Sequence, residues 1–493
     1  MRSHVACYHK AKDAVPEEVE MTRLTRTPAV VVTMLMVFVS PEEVSGAKPS
    51  GGSRGRTVEL GRRIFEHNWA RPESWSGPEE LGKGGDGLGP MFNDVSCVAC
   101  HHQGGAGGAG GNDHNVEVLS VDLSVTPLLN ERLRLLEHGH DLHPGFSPVQ
   151  SSLVLHHFGF GDTGEELKYQ RFRSSLVQHA SRAESIRDPG TDSEEVRVDP
   201  DAVQFRLELA QRSTPALWGL GEIESLRKGR GGQIRKAIAD EQKQARRGVT
   251  GRIPRTFNGG EGVYGWRGQV ADLRAFVSNA CSTEMGLHVP GNMQPSNPVD
   301  PDYGDQSSPR YDLTQTQVTA LTAFVESLPR PRQVVPDDPH SQRIAQEGER
   351  QFHRIGCADC HVKDVGHVTG IFSDFLLHDM GTRMGDRSTA NPDRPMPSGR
   401  MGGDYYSGRN IITSDPVPTD LDEEWRTPPL WGAADSAPYL HDGRAETFEE
   451  AIQMHGGEAA NSAEGYRRLN DEQRSQLLSF LDTLRAPLVE QDE

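Results

Sequence analysis

Residues 97–101 read Cys-Val-Ala-Cys-His, and residues 357–361 read Cys-Ala-Asp-Cys-His. In both strings two thiols stand three positions apart and a His follows the second thiol directly, which is the pattern C-x-x-C-H. The chain has only six Cys and 20 His among its 493 residues. A shuffled chain of this composition would contain one such string with a frequency of roughly 0.003, so chance does not account for two.

The C-x-x-C-H spacing suits covalent attachment of a haem, because the two thiols add to its two vinyl groups and the adjacent imidazole reaches the iron. A zinc site of four Cys and a set of disulfides are the structural alternatives. Zinc does not require a His at the same place twice, and the five thiols that remain without Cys7 cannot all pair. We therefore predict two covalently bound haem c groups, attached at Cys97, Cys100, Cys357 and Cys360, with His101 and His361 as axial ligands.

The N-terminal segment has the features of a leader. Residues 1–47 contain a signal-peptide pattern over 21–47, in which Arg23 and Arg26 precede an apolar run and small residues end at Ala47. The alternative is a membrane anchor, but the run of about 12 apolar residues is shorter than the roughly 20 that span a bilayer. We expect cleavage near Ala47, a periplasmic or otherwise exported protein, and no membrane span in the mature chain.

Charge and composition restrict the class of protein further. Lys and Arg number 52 against 71 Asp and Glu, and the resulting charge of −19 argues against nucleic acid or an anionic membrane as a partner. Hydrophobic residues make up only 34%, whereas Gly and Pro number 53 and 32. This composition predicts long irregular loops around a lean core, which an apolar cofactor would help to fill.

Two segments near the ends of the halves predict matching helices. Residues 313–328 match residues 469–484 at a constant offset of 156, with apolar positions at helical spacing. Thr314 and Asn470 are the expected N-caps, and we expect Pro329 and Pro487 to stop the two helices.

Two further pairs of segments occur in the same order. Residues 61–65 and 348–352 each place a Gly and a Phe four apart, where helices can cross closely, and residues 214–219 match 427–432. The three pairs predict a mainly α fold of two cytochrome c-like haem domains that arose by internal duplication. We place the domains at 55–330 and 336–493, joined through the Pro-rich stretch 329–339.

The N-terminal half is longer and is predicted to carry a large insertion. Its glycine run, residues 104–111, and its polar span, residues 188–201, are interpreted as surface loops. Five His of this region are interpreted mostly as solvated groups, although one of them could close the first haem as a resting-state ligand: His138, His140, His143, His156 and His157.

Three strings carry a resemblance to a known family. They are Gly-Leu-Gly-Pro-Met-Phe-Asn at 87–93, Phe-Ser-Asp-Phe-Leu-Leu-His-Asp-Met-Gly at 372–381, and Trp-Arg-Thr-Pro-Pro-Leu-Trp-Gly at 425–432. They resemble the di-haem oxidoreductase family, whose members are described as peroxidases and in some cases as thiol oxidoreductases. The resemblance covers about residues 57–487 and extends to bacterial di-haem cytochrome c peroxidases and the methylamine-utilisation di-haem enzyme.

The resemblance implies a second iron ligand for the C-terminal haem. In the peroxidases a Tyr-x-His-Asp-Gly string precedes this ligand, which lies 14 residues beyond the His of the string. Here His441 belongs to that string and would lie near a haem propionate, and His455 stands at the ligand position. Met454 is the main rival, followed by Met380; His378 is, like Met380, a less favoured ligand, because the family string that contains both could simply cover the haem edge. A His on an exposed helix face is the structural alternative.

The same comparison implies an open N-terminal haem. At an offset of 214, Glu241 stands where the second half has His455, and Glu is a poor haem ligand. Glu241 or Glu224 would then carry protons to a small oxidant. Trp218, Trp266 and Trp431 are possible electron relays between the haems, with core packing as the alternative role for each.

The expected function is an exported, peroxidase-like oxidoreductase. Electrons from a small soluble donor protein would enter at the C-terminal haem and react with peroxide or another small oxidant at the N-terminal haem. An electron-transfer protein without substrate turnover, and an oxidase of a sulfur or protein substrate, are the alternatives. The odd thiol, Cys281, has no neighbouring His or Cys in the sequence and is predicted to be buried and inert.

Overall fold

Helices form most of the regular structure. The computed structural model describes residues 51–121, 129–146, 152–159, 165–185, 207–245, 247–256, 260–300, 310–385 and 423–487. The predicted leader and the polar span 188–201 lie outside the described residues. Within the described ranges, no helix is both long enough and apolar enough to cross a membrane.

The helices and strands of the described residues are numbered in chain order. The helices are α1 (Gly51–Glu66), α2 (Cys97–Cys100), α3 (Leu129–Leu142), α4 (Glu165–Ser185), α5 (Leu220–Lys228), α6 (Gly231–Ala245), α7 (Leu273–Thr283), α8 (Gln315–Ser327), α9 (Pro339–Arg354), α10 (Phe448–Met454), α11 (Ala460–Arg467) and α12 (Asp471–Leu481). The strands are β1 (Met91–Phe92), β2 (Val116–Val121), β3 (Ser152–Val154), β4 (Phe158–Gly159), β5 (Leu207–Arg212), β6 (Arg332–Gln333), β7 (Leu377–Asp379), β8 (Glu424–Arg426) and β9 (Leu484–Arg485).

Two helix pairs frame the two halves, as the repeats predict. Helix α1 packs on α8, and α9 packs on α12. A Cβ atom on Gly61 would collide with the carbonyl oxygen of Ala320, and a Cβ atom on Gly348 would collide with that of Gln476. The close crossings predicted at these two glycines are therefore confirmed. Only a residue without a side chain lets the two backbones approach this closely.

The helix starts are confirmed, but one of the two predicted stops is wrong. Thr314 and Asn470 form capping boxes at the starts of α8 and α12. Helix α8 ends directly before Leu328 and Pro329, whereas α12 ends at Leu481, well before Pro487. The reason is that β9 leaves the helix axis to pair with β6, so the backbone exchanges helical hydrogen bonds for strand pairing.

The N-terminal half contains a small sheet that the composition did not predict. Strands β3, β2 and β5 form an antiparallel sheet in that order, and α4 packs on β5. This part has its own apolar core, made of Leu119, Val121, Phe146, Leu153, Leu155, Leu176, Ala180 and Leu207. The region is thus an ordered layer in its described parts and not only surface loops.

The largest apolar core draws on both halves of the chain. It joins side chains of α1, α5, α7 and α8 to Val365, Ile371, Phe375 and Trp431 of the C-terminal half. The β-bridge between Arg252 and Leu377 adds a backbone connection. The described residues consequently belong to one compact unit. The predicted boundary at 329–339 falls between α8 and α9 and includes β6.

Candidate functional site

Each C-x-x-C-H string folds as one tight turn. In the first, Ser96 caps α2 and its Oγ accepts a hydrogen bond of 3.1 Å from the Ala99 backbone. The backbone N–H of His101 donates to Cys97 O at 3.0 Å, and that of His361 donates to Cys357 O at 2.9 Å. The same turn therefore gathers the two thiols and the imidazole in both halves.

The two motif imidazoles are held in the way that an iron ligand requires. Nδ1 of His101 contacts Gly108 O at 3.2 Å, and Nδ1 of His361 contacts Phe372 O at 3.0 Å. A ring that donates Nδ1–H to a carbonyl keeps a lone pair on Nε2 for a metal. Burial lowers the pKa of both imidazoles to about 4, so both are neutral at pH 7.

The glycine run is a loop, as predicted, but only its first residues lie at the surface. Gly107, Gly108 and Gly110 are buried, and Gly107 N donates to the carbonyl oxygen of His101 at 3.0 Å. The run wraps around the first motif and supplies the Gly108 carbonyl that orients the imidazole. Glycines are needed here because a Cβ at Gly108 would collide with Gln103 O.

A cavity of about 300 Å³ borders the second motif and extends into the N-terminal half. Its C-terminal lining includes Cys357, Cys360, His361, Met380 and His455. Among the described residues, the lining from the N-terminal half contains no His or Met; its larger side chains are Leu217, Trp218, Leu220, Ile223, Val263, Tyr264, Trp266 and Phe276. The cavity thus borders the second motif, whereas Cys97, Cys100 and His101 of the first motif are not among its lining residues.

His455 lies at the C-terminal end of α10, on the cavity wall. Its Nδ1 contacts Ala451 O at 2.7 Å, which leaves Nε2 with a lone pair, and burial lowers its pKa. Met380 also lines the cavity, whereas Met454 is not among the described lining residues. His441 lines it as well and stacks on Trp425, with ring centroids 3.6 Å apart. The contacts of His455 match those of the two motif imidazoles.

The two predicted proton carriers lie in different surroundings. Glu241 is exposed on α6, and the structure does not bring it to the cavity lining. Glu224 is buried on α5; it pairs with Arg227 at 2.7 Å and accepts a hydrogen bond of 2.8 Å from the Tyr264 hydroxyl. Burial raises the pKa of Glu224, but the bonds from Arg227 and Tyr264 outweigh it and lower the pKa to about 2. Tyr264, which the sequence analysis missed, connects Glu224 to the cavity.

The three Trp residues all line the cavity. Gly219 and Gly432 have left-handed backbone conformations with φ of 71° and 75°. A Cβ on Gly219 would lie 2.5 Å from the Trp431 ring, and one on Gly432 would lie 3.0 Å from the Trp218 ring. Trp431 thus packs on Gly219, which follows Trp218, and Trp218 packs on Gly432, which follows Trp431. Trp266 donates a 3.0 Å hydrogen bond from Nε1 to Ser213 O.

The sequence analysis did not predict two clusters of His and carboxylate side chains beside the motifs. Near the first motif, His114 Nδ1 contacts Asp94 Oδ2 at 2.9 Å and lies 3.7 Å from Cys100 Sγ. Near the second, His378 contacts Asp374 and lies 3.7 Å from Cys360 Sγ. The only signal for the second was the i, i+4 spacing of Asp374 and His378 within the string 372–381.

The donor sets fit a covalently held haem better than zinc. In the described residues, two groups could offer three ligand atoms to a metal: Asp94 with Cys100 and His114, and Cys360 with Asp374 and His378. Each group offers three ligand atoms, one each from a Cys, a His and a carboxylate, so neither assembles the four Cys and His ligands of a structural zinc site. The thiols of each turn, the neutral imidazoles and the apolar cavity suit a haem.

Cys281 is buried on α7, as predicted. Burial raises the pKa of its thiol, which disfavours the reactive thiolate. Of the five His in the N-terminal half, His143 and His156 are buried, which contradicts their interpretation as solvated groups. His156 Nε2 contacts Thr283 O at 2.8 Å, which joins it to the C-terminal end of α7.

The two motif turns and the apolar cavity have the features of a haem-binding site. Over residues 334–484 the chain matches the family model described as "Di-haem oxidoreductase, putative peroxidase". The predicted resemblance is therefore confirmed over this part of the chain, which contains the strings at 372–381 and 425–432, whereas the string at 87–93 lies outside the matched residues.

The chain is also similar to individual proteins over parts of its length. It is 28% identical over 148 residues to hydrazine synthase subunit gamma of Kuenenia stuttgartiensis, a match that covers 29% of this chain and 40% of that protein. A MauG-like protein associated with microbial copper homeostasis matches with 20% identity, a TM-score of 0.29, and coverage of 46% and 73% of the two chains. The diheme peroxidase BthA from Burkholderia thailandensis matches with 18% identity, a TM-score of 0.24, and coverage of 34% and 50%.

Proposed function

We propose that this protein is an exported di-haem c-type oxidoreductase with peroxidase-like activity. Electrons from a small soluble donor protein enter at the C-terminal haem, and peroxide or another small oxidant reacts at the N-terminal haem. The observation that carries this proposal is the pair of imidazoles on the cavity wall beside the second motif. His361 and His455 both line the cavity and each is held at Nδ1 by a backbone carbonyl, which supports two protein ligands for the C-terminal haem. The reaction at the N-terminal haem is proposed from the family resemblance.

Residues of both halves would hold the cofactors. Cys97, Cys100, Cys357 and Cys360 would form the thioether bonds, and His101 and His361 would bind iron. Arg426 lines the cavity; burial and then the neighbouring Arg235 lower its pKa to about 10, so it stays cationic at pH 7. Its charge would balance haem carboxylates. A bound haem supplies one-electron transfer and, with an open axial position, reaction with a small oxidant.

Glu224 and Tyr264 are the residues that we assign to proton movement at the first site. Glu224 is ionised at pH 7 because its pKa is about 2, so it accepts the hydrogen bond of the Tyr264 hydroxyl and fixes its orientation. Tyr264 lines the cavity, so the oriented hydroxyl borders the space that a small oxidant would enter. Glu241 is exposed, so its Gln variant serves as the matched control for the Gln variant of Glu224.

The packed pair of Trp218 and Trp431 supports electron transfer between the halves. Each ring rests on a glycine of the opposite half, so the contact is close and fixed. Both rings are buried and line the same cavity. We assign the relay to this pair, and Trp266 to the support of Ser213.

A reductive titration followed by electron paramagnetic resonance tests the proposal. The protein, produced with a cytochrome c maturation system, should show a high-spin ferric component as isolated or after its partner haem is reduced. Adding peroxide should then oxidise the reduced protein, and a reduced small cytochrome should be consumed catalytically. Two low-spin haems in every redox state, without a response to peroxide, would establish an electron-transfer protein instead.

The Glu224→Gln variant tests the proton pathway in the same assay. We expect the peroxide step to slow by about 10²–10⁴-fold with unchanged haem content, because the carboxylate that orients the Tyr264 hydroxyl is lost. Glu241→Gln should retain the parent rate, since its side chain is exposed. Equal rates for parent and Glu224→Gln would remove Glu224 from the mechanism.

A further inference from the structure

A buried carboxylate–imidazole–carboxylate cluster stands beside the second motif. His378 Nε2 lies 3.0 Å from Asp374 Oδ2, and His378 Nδ1 lies 2.7 Å from Glu458 Oε2. The three side chains are only 2%, 0% and 10% exposed, respectively, for His378, Asp374 and Glu458. Since each ring nitrogen faces a carboxylate oxygen, both nitrogens carry a proton and donate it in a hydrogen bond. His378 is therefore a fixed cation, without a lone pair for iron.

The N-terminal half holds both carboxylates in place. Gln242 Nε2 donates to Asp374 Oδ2 at 2.8 Å, and Gln242 also reaches Asp359 O at 2.8 Å. Thr250 donates to Glu458 through its backbone N–H and its hydroxyl, both at 2.9 Å. The carboxylates thus have partners besides His378, and substitution of the imidazole leaves them hydrogen-bonded.

The cluster borders the place where a haem would be attached. His378 Nδ1 lies 3.7 Å from Cys360 Sγ, and His378 and Glu458 both line the cavity together with His361 and His455. Charges in a buried site act on one another with little screening by water. A haem iron loses one positive charge when it is reduced. A neighbouring cation therefore favours the reduced state, and a neighbouring carboxylate favours the oxidised state.

We propose that Asp374, His378 and Glu458 form a positioning cluster that sets the reduction potential of the haem attached at Cys357 and Cys360. The proposal rests on the haem of the proposed function, but it does not depend on which oxidant the protein uses. The cation of His378 raises the potential, and the carboxylates lower it. Through Gln242 and Thr250, which donate hydrogen bonds to Asp374 and Glu458, the N-terminal half forms a structural part of this cluster.

Potentiometric titration of the holoprotein, read from the optical spectrum of the C-terminal haem, tests this proposal. A variant with Ala at Cys357 and Cys360 identifies which signal belongs to that haem. We expect His378→Gln to lower its potential, because a cation is lost, and Glu458→Gln to raise it, because an anion is lost. His340→Gln, at an exposed position of α9, is the control and should leave the potential unchanged.

The opposite signs separate an electrostatic role from a structural one. A general disturbance of the pocket would shift the reduction potential in the same direction in both variants, and this outcome would overturn the proposal. Unchanged potentials in both variants would overturn it as well. If one variant does not accumulate, the direction of shift in the other still decides. The titration needs no peroxide, so a protein that lacks peroxidase activity leaves this test intact.

Discussion

His455 is the residue whose contacts agree best with its predicted role. Nδ1 is held by Ala451 O, so the remaining nitrogen is free to bind iron. We expect His455→Ala to convert the C-terminal haem from low-spin to high-spin, or to recruit Met454 or Met380 as the replacement ligand. Optical and electron paramagnetic resonance spectra measure this change. Met454→Ala in the parent background is the control, and spectra of His455→Ala that match the parent would refute the assignment.

Glu284 predicts a pH dependence of stability. Asn93 Nδ2 donates to its Oε2 at 2.7 Å, and burial raises the pKa of Glu284 to about 8 from an ordinary value of 4.5. Between these pH values the folded protein holds a proton that the unfolded chain has lost. The free energy of unfolding therefore falls as pH rises through this window.

Denaturant unfolding of the holoprotein from pH 5 to pH 9 measures the contribution of Glu284. Glu284→Gln keeps an acceptor for Asn93 but cannot ionise. We expect its stability to exceed that of the parent by a margin that grows up to about pH 8 and then levels off. Glu241→Gln is the exposed control. Parallel curves for parent and Glu284→Gln would show that Glu284 is not the group responsible.

At the scale of elements, the crossings of α1 with α8 and of α9 with α12 support a stability prediction. Gly61→Ala and Gly348→Ala force a methyl group against a carbonyl oxygen of the partner helix. We expect each to lower the free energy of unfolding by about 1–3 kcal/mol, the usual cost of overpacking. Thermal or denaturant unfolding of the holoprotein measures this loss.

Gly55→Ala provides the matched control on the same helix. A Cβ at this position meets nothing within 4 Å, and Ala is the better helix former, so stability should rise by about 0.5–1 kcal/mol. If Gly61→Ala behaved like Gly55→Ala, the close crossing would not be a determinant of stability.

The elements differ in how far the sequence predicted them. Helices α8 and α12 were predictable because their apolar spacing and their caps, Thr314 and Asn470, are local signals that occur twice. The end of α12 was not, because its strand pairing with β6 depends on a segment about 150 residues away. The sheet of β3, β2 and β5 was missed because its strands pair across long gaps in the chain.

At the scale of the whole molecule, the two motifs predict cofactor content. Expression with a cytochrome c maturation system should give a protein that stains for haem after denaturing electrophoresis and carries the mass of two haems. Ala at both Cys357 and Cys360 should leave one haem, because the attachment thiols of the second motif are gone. A parent protein with the mass of one haem would contradict the two-site prediction. The same mass measurement also tests whether the chain is cleaved near Ala47.

The sequence by itself determined the paired helices and predicted the attachment residues and the motif ligands, because these depend on short spacings that the chain repeats. Only the tertiary structure decided which side chains surround the motifs. It turned Glu241 to the surface while its neighbour Gln242 reached Asp374, and it wrapped the glycine run around His101. It also placed Glu458 against His378. These contacts join residues far apart in the chain, so they follow from the packing of whole elements and leave no local pattern to read.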